Sequence, residues 1–217
     1  MTSKYGIVTL FIVAILWSIV PPAQAGTVRF EFANEIDHDN DPPNGTPPWM
    51  IATFEDAGQG HVILTINNLL QSSTEFARRM VFNLDPTLNA DNLNIQQLQG
   101  PMSSKILAEQ DGFKNNDAEN FDILLRWKNN RNAFLTGDTV QFDITGIQAL
   151  QASSFNFENN DPRENSRRYF AGAQIGNVGQ NNEDEWLSPT GVPLPSSFIL
   201  ALLGLATIPV MVIRTKH

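Results

Sequence analysis

Thr27-Val28-Arg29-Phe30-Glu31-Phe32 decides the fold, because apolar side chains alternate in it with a hydroxyl, a cation and an anion. In an extended chain successive side chains point to opposite faces, so Val28, Phe30 and Phe32 share one face and Arg29 and Glu31 take the other. The same period returns in Phe121, Ile123, Leu125 and Trp127 against Asp122 and Arg126, and in Val140, Phe142 and Ile144 against Gln141, Asp143 and Thr145. Each segment reads as a strand with one dry and one wet face.

Outward from these, the pattern predicts further strands at 50–55, 61–67, 78–84, 153–158 and 169–175. Turn-forming clusters separate them: Asp56-Ala57-Gly58-Gln59-Gly60, Asp85-Pro86-Thr87, Thr136-Gly137-Asp138 and Asn159-Asn160-Asp161-Pro162. About eight short strands with opposed faces predict an all-β domain, an antiparallel, jelly-roll-like β-sandwich. Helix is expected only as a turn within 103–110. Phe155 and Phe157 are expected to share a strand face and close the core.

The chain has 217 residues, a formal net charge of −9 and no cysteine. Disulfide staples, thiolate metal sites and cysteine nucleophiles are therefore excluded. A domain over 26–191 is long enough to hold itself by packing. Outside it lie Lys4, Arg214 and Lys216 and no carboxylate, which leaves 11 of the 14 cations against all 23 anions, a net of −12. Such a surface repels nucleic acid, whose phosphates demand basic patches.

Both ends read as addresses. Lys4, an apolar run over 6–20 and Pro21-Pro22-Ala23-Gln24-Ala25 form a secretory signal peptide over 1–25, with Ala23 and Ala25 as the small residues of the cleavage site. As a helix, that run rises only about 22 Å, short of a ~30 Å hydrocarbon core, which favours cleavage over anchoring. At the other end, 192–217, Val192-Pro193-Leu194-Pro195 precedes an apolar run over 198–213 and a basic stop at Arg214 and Lys216. That run gives about 24 Å of helix and contains Gly204 and Pro209, a marginal span suited to temporary retention in the membrane. A signal helix and a hydrophobic helix thus flank the predicted β domain.

The C-terminal pattern of prolines, short apolar helix and basic end resembles the PEP-CTERM sorting signal of bacteria that make exopolysaccharide. The resemblance implies recognition by an exosortase-type membrane protease after export, followed by removal of the tail. Leu194 departs from the commonest form, which has Glu there, and matches a Val-Pro-Leu-Pro variant. A looser resemblance covers the body: Phe82-Asn83-Leu84-Asp85-Pro86, Gly112-Phe113-Lys114, Phe121-Asp122-Ile123-Leu124, Gly137-Asp138-Thr139-Val140, Ala152-Ser153-Ser154-Phe155 and Trp186 are similar to a group of PEP-CTERM proteins. It implies an all-β body and brings no catalytic residue.

Catalytic constellations are weak. The three histidines are His38, His61 and His217, and no Gly-x-Ser-x-Gly elbow, HExxH, Walker loop or dinucleotide fingerprint accompanies them. Asp37, Asp39 and Asp41 alternate in an acidic loop and offer hard oxygens to Ca²⁺, although the following prolines and the lack of a twelfth-position glutamate break the EF-hand pattern. Without Ca²⁺ the same residues make a solvated loop. Trp49 and Trp186 border polar loops, where an indole face can stack on a sugar ring or pack in the core.

These readings converge on a non-enzymatic exported protein, anchored first at the inner membrane and then sorted to the surface or extracellular matrix. Its role would be structural or adhesive beside exopolysaccharide. The alternative is a carbohydrate-binding module, Ca²⁺-assisted or not.

Overall fold

Val28, Phe30 and Phe32 are buried while Arg29 stands in solvent, so strand β1 (Thr27–Glu35) forms with the facing its alternation dictates. The computed structural model describes residues 26–36, 41–115, 120–128, 133–160 and 167–190. Within them β1 is followed by β2 (Met50–Gly58), β3 (His61–Asn68), β4 (Phe76–Phe82), β5 (Asn94–Gln99), β6 (Lys105–Phe113), β7 (Phe121–Arg126), β8 (Thr139–Thr145), β9 (Ala171–Val178) and β10 (Glu183–Pro189). Two 3-10 turns, Ala90–Asn92 and Ala152–Phe155, are the helical elements among the described residues. None of the helices there is long and apolar enough to cross a membrane. The expected signal helix over 1–25 and hydrophobic helix within 192–217 lie outside the described residues.

The protein is all-β and antiparallel. Hydrogen bonding runs unbroken in the order β5-β8-β3-β2-β1-β10-β9-β4-β7-β6. Where two sheets are expected, the pairing of β1 with β10 (Phe32 with Pro189, Asn34 with Ser188) joins everything into one ten-stranded sheet. Its two outer strands, β5 and β6, are consecutive in sequence. The Gln97 side chain clamps their connection, donating to the Pro101 carbonyl at 2.8 Å and accepting from the Ser103 N–H at 2.9 Å. The sheet thereby curls until it is nearly a closed barrel, which leaves little unpaired edge.

Aromatic rings fill the interior. Phe54 meets Phe30 edge-on at 6.0 Å and Phe82 at 5.2 Å, and Trp127 packs on Phe134 at 4.9 Å. Each fully buried phenylalanine contributes about 1.5–3 kcal/mol. A second, smaller cluster of Ile36, Val81, Phe121 and Trp186 packs apart from the main core. Val81 and Trp186 alternate with Met80, Phe82 and Leu187, which face the main core, so they lie on the sheet's outer face.

Two expected elements differ. Residues 153–158 form no strand: the chain makes the 3-10 turn Ala152–Phe155, in which the Gln151 N–H donates to Ser154 Oγ at 3.2 Å. Phe155 is still fully buried, stacked on Phe54 at 4.2 Å, while Phe157 is only half-buried. Residues 103–110 form no helical turn: from Lys105 they enter β6, which covers the edge β7 would otherwise leave open and sets Ile106 and Ala108 opposite Leu125 and Ile123. Strands β5 and β10 were hidden by composition: one is glutamine-rich, the other carries three carboxylates and a proline.

Candidate functional site

The sorting residues Val192, Pro193, Leu194, Pro195, Arg214 and Lys216, the cleavage-site Ala23 and Ala25, and the loop residues Asp37 and Asp39 lie outside the described residues. Asp41 is described and exposed, close beside Gly179 in the β9–β10 turn. No group of three or more metal-ligating side chains is gathered among the described residues. His61 stands with Nε2 2.6 Å from Asp143 Oδ1 at the β3–β8 ladder, partly in solvent.

Both candidate tryptophans are buried. Trp49 is 4% exposed and joins the main core, its backbone N–H donating to the Phe32 carbonyl at 3.0 Å. Trp186 is 0% exposed. It lies flat on the outer sheet face because Gly172 lacks a side chain: a Cβ there would stand 3.2 Å from Trp186 Cζ3 and 3.1 Å from Val81 Cγ2. The Arg79 guanidinium covers the ring from outside, 4.6 Å from its centroid. A sugar ring therefore finds no open indole face at either position.

Two buried carboxylates act as tethers. Asp122 accepts the Leu84 N–H and the Asp111 N–H, each at 2.8 Å, one on each oxygen. Burial pushes its carboxyl above the usual range; the two N–H donors act the other way, and the Asp111 charge adds to the rise. Glu75 is fully buried and accepts from Asn44, at 3.0 Å from the backbone N–H and 2.6 Å from Nδ2.

The most chemically distinctive surface is a row that crosses five strands. Trp186 on β10 pairs with Gln174 on β9, Gln174 with Arg79 on β4, Arg79 with Arg126 on β7, and Arg126 with Lys105 on β6. Directly paired residues share a face, so three cations stand side by side on three adjacent strands. A bulge in β4 adds a fourth. The register shifts between Ala77 and Arg79, which makes Arg78 the extra residue and re-aims it toward the cavity that Arg79 also lines.

Arg78, Arg79 and Arg126 border two adjoining cavities. One of about 330 Å³ is lined by Arg78, Arg126, Lys128, Asn177, Asn182 and Asp184, among others. A smaller one, about 150 Å³, adds Arg79 and Gln174. Arg78 forms an ion pair with Asp184, and Arg79 Nε donates to Gln174 Oε1 at 2.8 Å. Burial lowers the Arg79 pKa first, then the charges of Arg126 and Arg78, with Asp184 opposing. Arg126 and Lys128 have no carboxylate partner among the described residues. Chemically the site offers guanidinium and ammonium donors, the side-chain amides of Asn177, Asn182 and Gln174, and one carboxylate.

No family model, curated protein or solved structure matches the chain.

Sequence reading missed this site because its cations lie one by one on separate strands. The Arg78-Arg79 pair was the visible trace; only the register shows that Arg126 and Lys105 stand beside it.

Proposed function

We propose that the chain is a non-enzymatic surface or matrix protein, exported through cleavage after Ala25, held by 192–217 and sorted by an exosortase-type protease into association with exopolysaccharide. The observation that supports it most is the position of β10. The last strand lies between β1 and β9, and beyond it the Thr190 N–H donates to the Glu31 carbonyl at 2.9 Å. The tail thus leaves from a strand paired on both sides, and force on the anchor is shared with two neighbours. The finer architecture belongs to the same proposal: β5-β8-β3-β2-β1 lies over β10-β9-β4-β7-β6 as a flattened, jelly-roll-like barrel. Ring packing between Phe54 and Phe82 and between Trp127 and Phe142 supports this by crossing the two halves.

Fractionation of the native host tests the reading. The full chain is expected at the surface or in the matrix, and a chain lacking 192–217 is expected in a different fraction. Identical distributions would count against it.

The second reading, a carbohydrate-binding module, is favoured by the cationic cleft rather than by Trp49 or Trp186. Ca²⁺ at Asp37, Asp39 and Asp41 belongs to that reading, and a melting shift with Ca²⁺ over EDTA is its test.

A further inference from the structure

We propose that the cleft between Arg78, Arg126 and Lys128 binds the carboxylates of an acidic, uronate-type polysaccharide. The inference rests on the carbohydrate-binding reading and gives it a ligand class and a site.

Charge supplies the first argument. Like charges placed directly opposite on neighbouring strands destabilise a sheet. Here Arg126 has Arg79 on one side and Lys105 on the other. Asp184, the sole carboxylate among the described residues lining the two cavities, already pairs with Arg78. Among the described residues Arg126 and Lys128 are left without a carboxylate partner, and Arg79 has only the Asp184 charge that Arg78 already holds, in a chain of net charge −9. An anionic ligand supplies the missing charge, and acidic surroundings focus it on this one place.

Chemistry narrows the anion. A guanidinium reads a carboxylate with two parallel donors. Asn182 is exposed beside it, and the Asn177 side chain, which donates to the Thr74 carbonyl, keeps its amide oxygen for a hydroxyl. Asp184 accepts from hydroxyls but repels a second charged oxygen, which suits a sugar acid better than a run of phosphates. Peptide addition as a strand needs an open edge, whereas β4 and β7 are each paired on both sides. Successive strands stand about 4.8 Å apart, so the row from Arg79 to Lys105 spans about 10 Å and serves more than one carboxylate of an extended chain.

Calorimetry on the full-length chain tests the proposal, with oligogalacturonate and its carboxyl-reduced, neutral counterpart as probes. The expected result is saturable binding of the charged oligomer alone, weakening as salt rises. Arg126→Gln and Lys128→Gln should each weaken it about tenfold, the loss of one charged hydrogen bond. Arg126 is exposed and unpaired with any carboxylate among the described residues, so its variant should melt no lower than wild type. Lys114→Gln, remote from the cleft lining, should bind as wild type does. Equal binding of the neutral oligomer, or full binding by both cleft variants, overturns the anion site and leaves the carbohydrate reading standing. Binding of neither oligomer also overturns the site; a neutral-glycan array then decides the broader reading separately.

Discussion

The Arg79 guanidinium lies 4.6 Å from the centroid of the Trp186 ring, with Gln174 holding its Nε at 2.8 Å. A cation over an indole face contributes about 0.5–2 kcal/mol, more as water is excluded. The pair makes Trp186 a floor for the cationic row instead of a stacking platform for sugar.

Gly172 makes that floor possible. Gly172→Ala would place a methyl group against Trp186 and Val81, both fully buried and unable to move aside. Overpacking of this kind costs about 1–3 kcal/mol. Urea unfolding should show that loss, accompanied by altered tryptophan fluorescence. An unchanged midpoint would mean that Trp186 is not seated on the sheet.

Phe155→Ala removes the ring stacked on Phe54 at 4.2 Å. The residue is fully buried, so lost burial and the residual cavity should together cost about 3–5 kcal/mol. Phe157→Ala, at a half-buried position, should cost clearly less. Equal losses would restore the shared strand face that the sequence suggested.

Asn83 ties the end of β4 to a distant segment. Its Nδ2 donates to the carbonyls of Tyr169 at 2.8 Å, Phe170 at 3.0 Å and Phe157 at 3.2 Å. Asn83→Ala should cost about 1–3 kcal/mol, the penalty for buried groups left without a donor. Limited proteolysis should then cleave between 157 and 170 sooner than in wild type. A wild-type cleavage pattern would argue against the tether.

Asp122 gives a pH signature. Its folded carboxyl titrates above the ordinary 3.8, chiefly because it is buried. Between the ordinary value and the raised one the folded state holds more protons than the unfolded state, so stability falls as pH rises through that window. Asp122→Asn removes this titration and also one of two acceptors, at a cost of about 1–3 kcal/mol. The advantage of wild type over the variant should therefore be larger near the acid end of the window than at neutral pH. Denaturation series in which that advantage grows toward neutral pH would reverse the assignment.

Much of the architecture was legible because burial on one face forces period two. Thr27 to Phe32 and Val140 to Ile144 stand as their alternation requires, whereas in Phe121 to Trp127 only Ile123, Leu125 and Trp127 share the main core: Phe121 joins the second cluster and Asp122 is buried on its two N–H donors. Where burial is two-sided or weak, that signal fails. Trp186 and Glu185 are neighbours on β10 and both are buried, so no alternation marks the strand. Along β5, Asn94-Ile95-Gln96-Gln97 offers one half-buried apolar residue, and pairing with β8 supplies the rest. The Asn83 motif was visible as residues, but its carbonyl partners come from more than 70 positions away. The cleft was less legible still, since it depends on a one-residue bulge at Arg78 and on register between strands distant in sequence.

In the proposed function the β body is delivered by disposable ends. The intact mass of the protein recovered from the surface or matrix of its native host tests it most directly. The expected mass is that of a chain that starts at Gly26 and ends near Pro195. A mass that still includes the segment through Arg214 and Lys216 would contradict it.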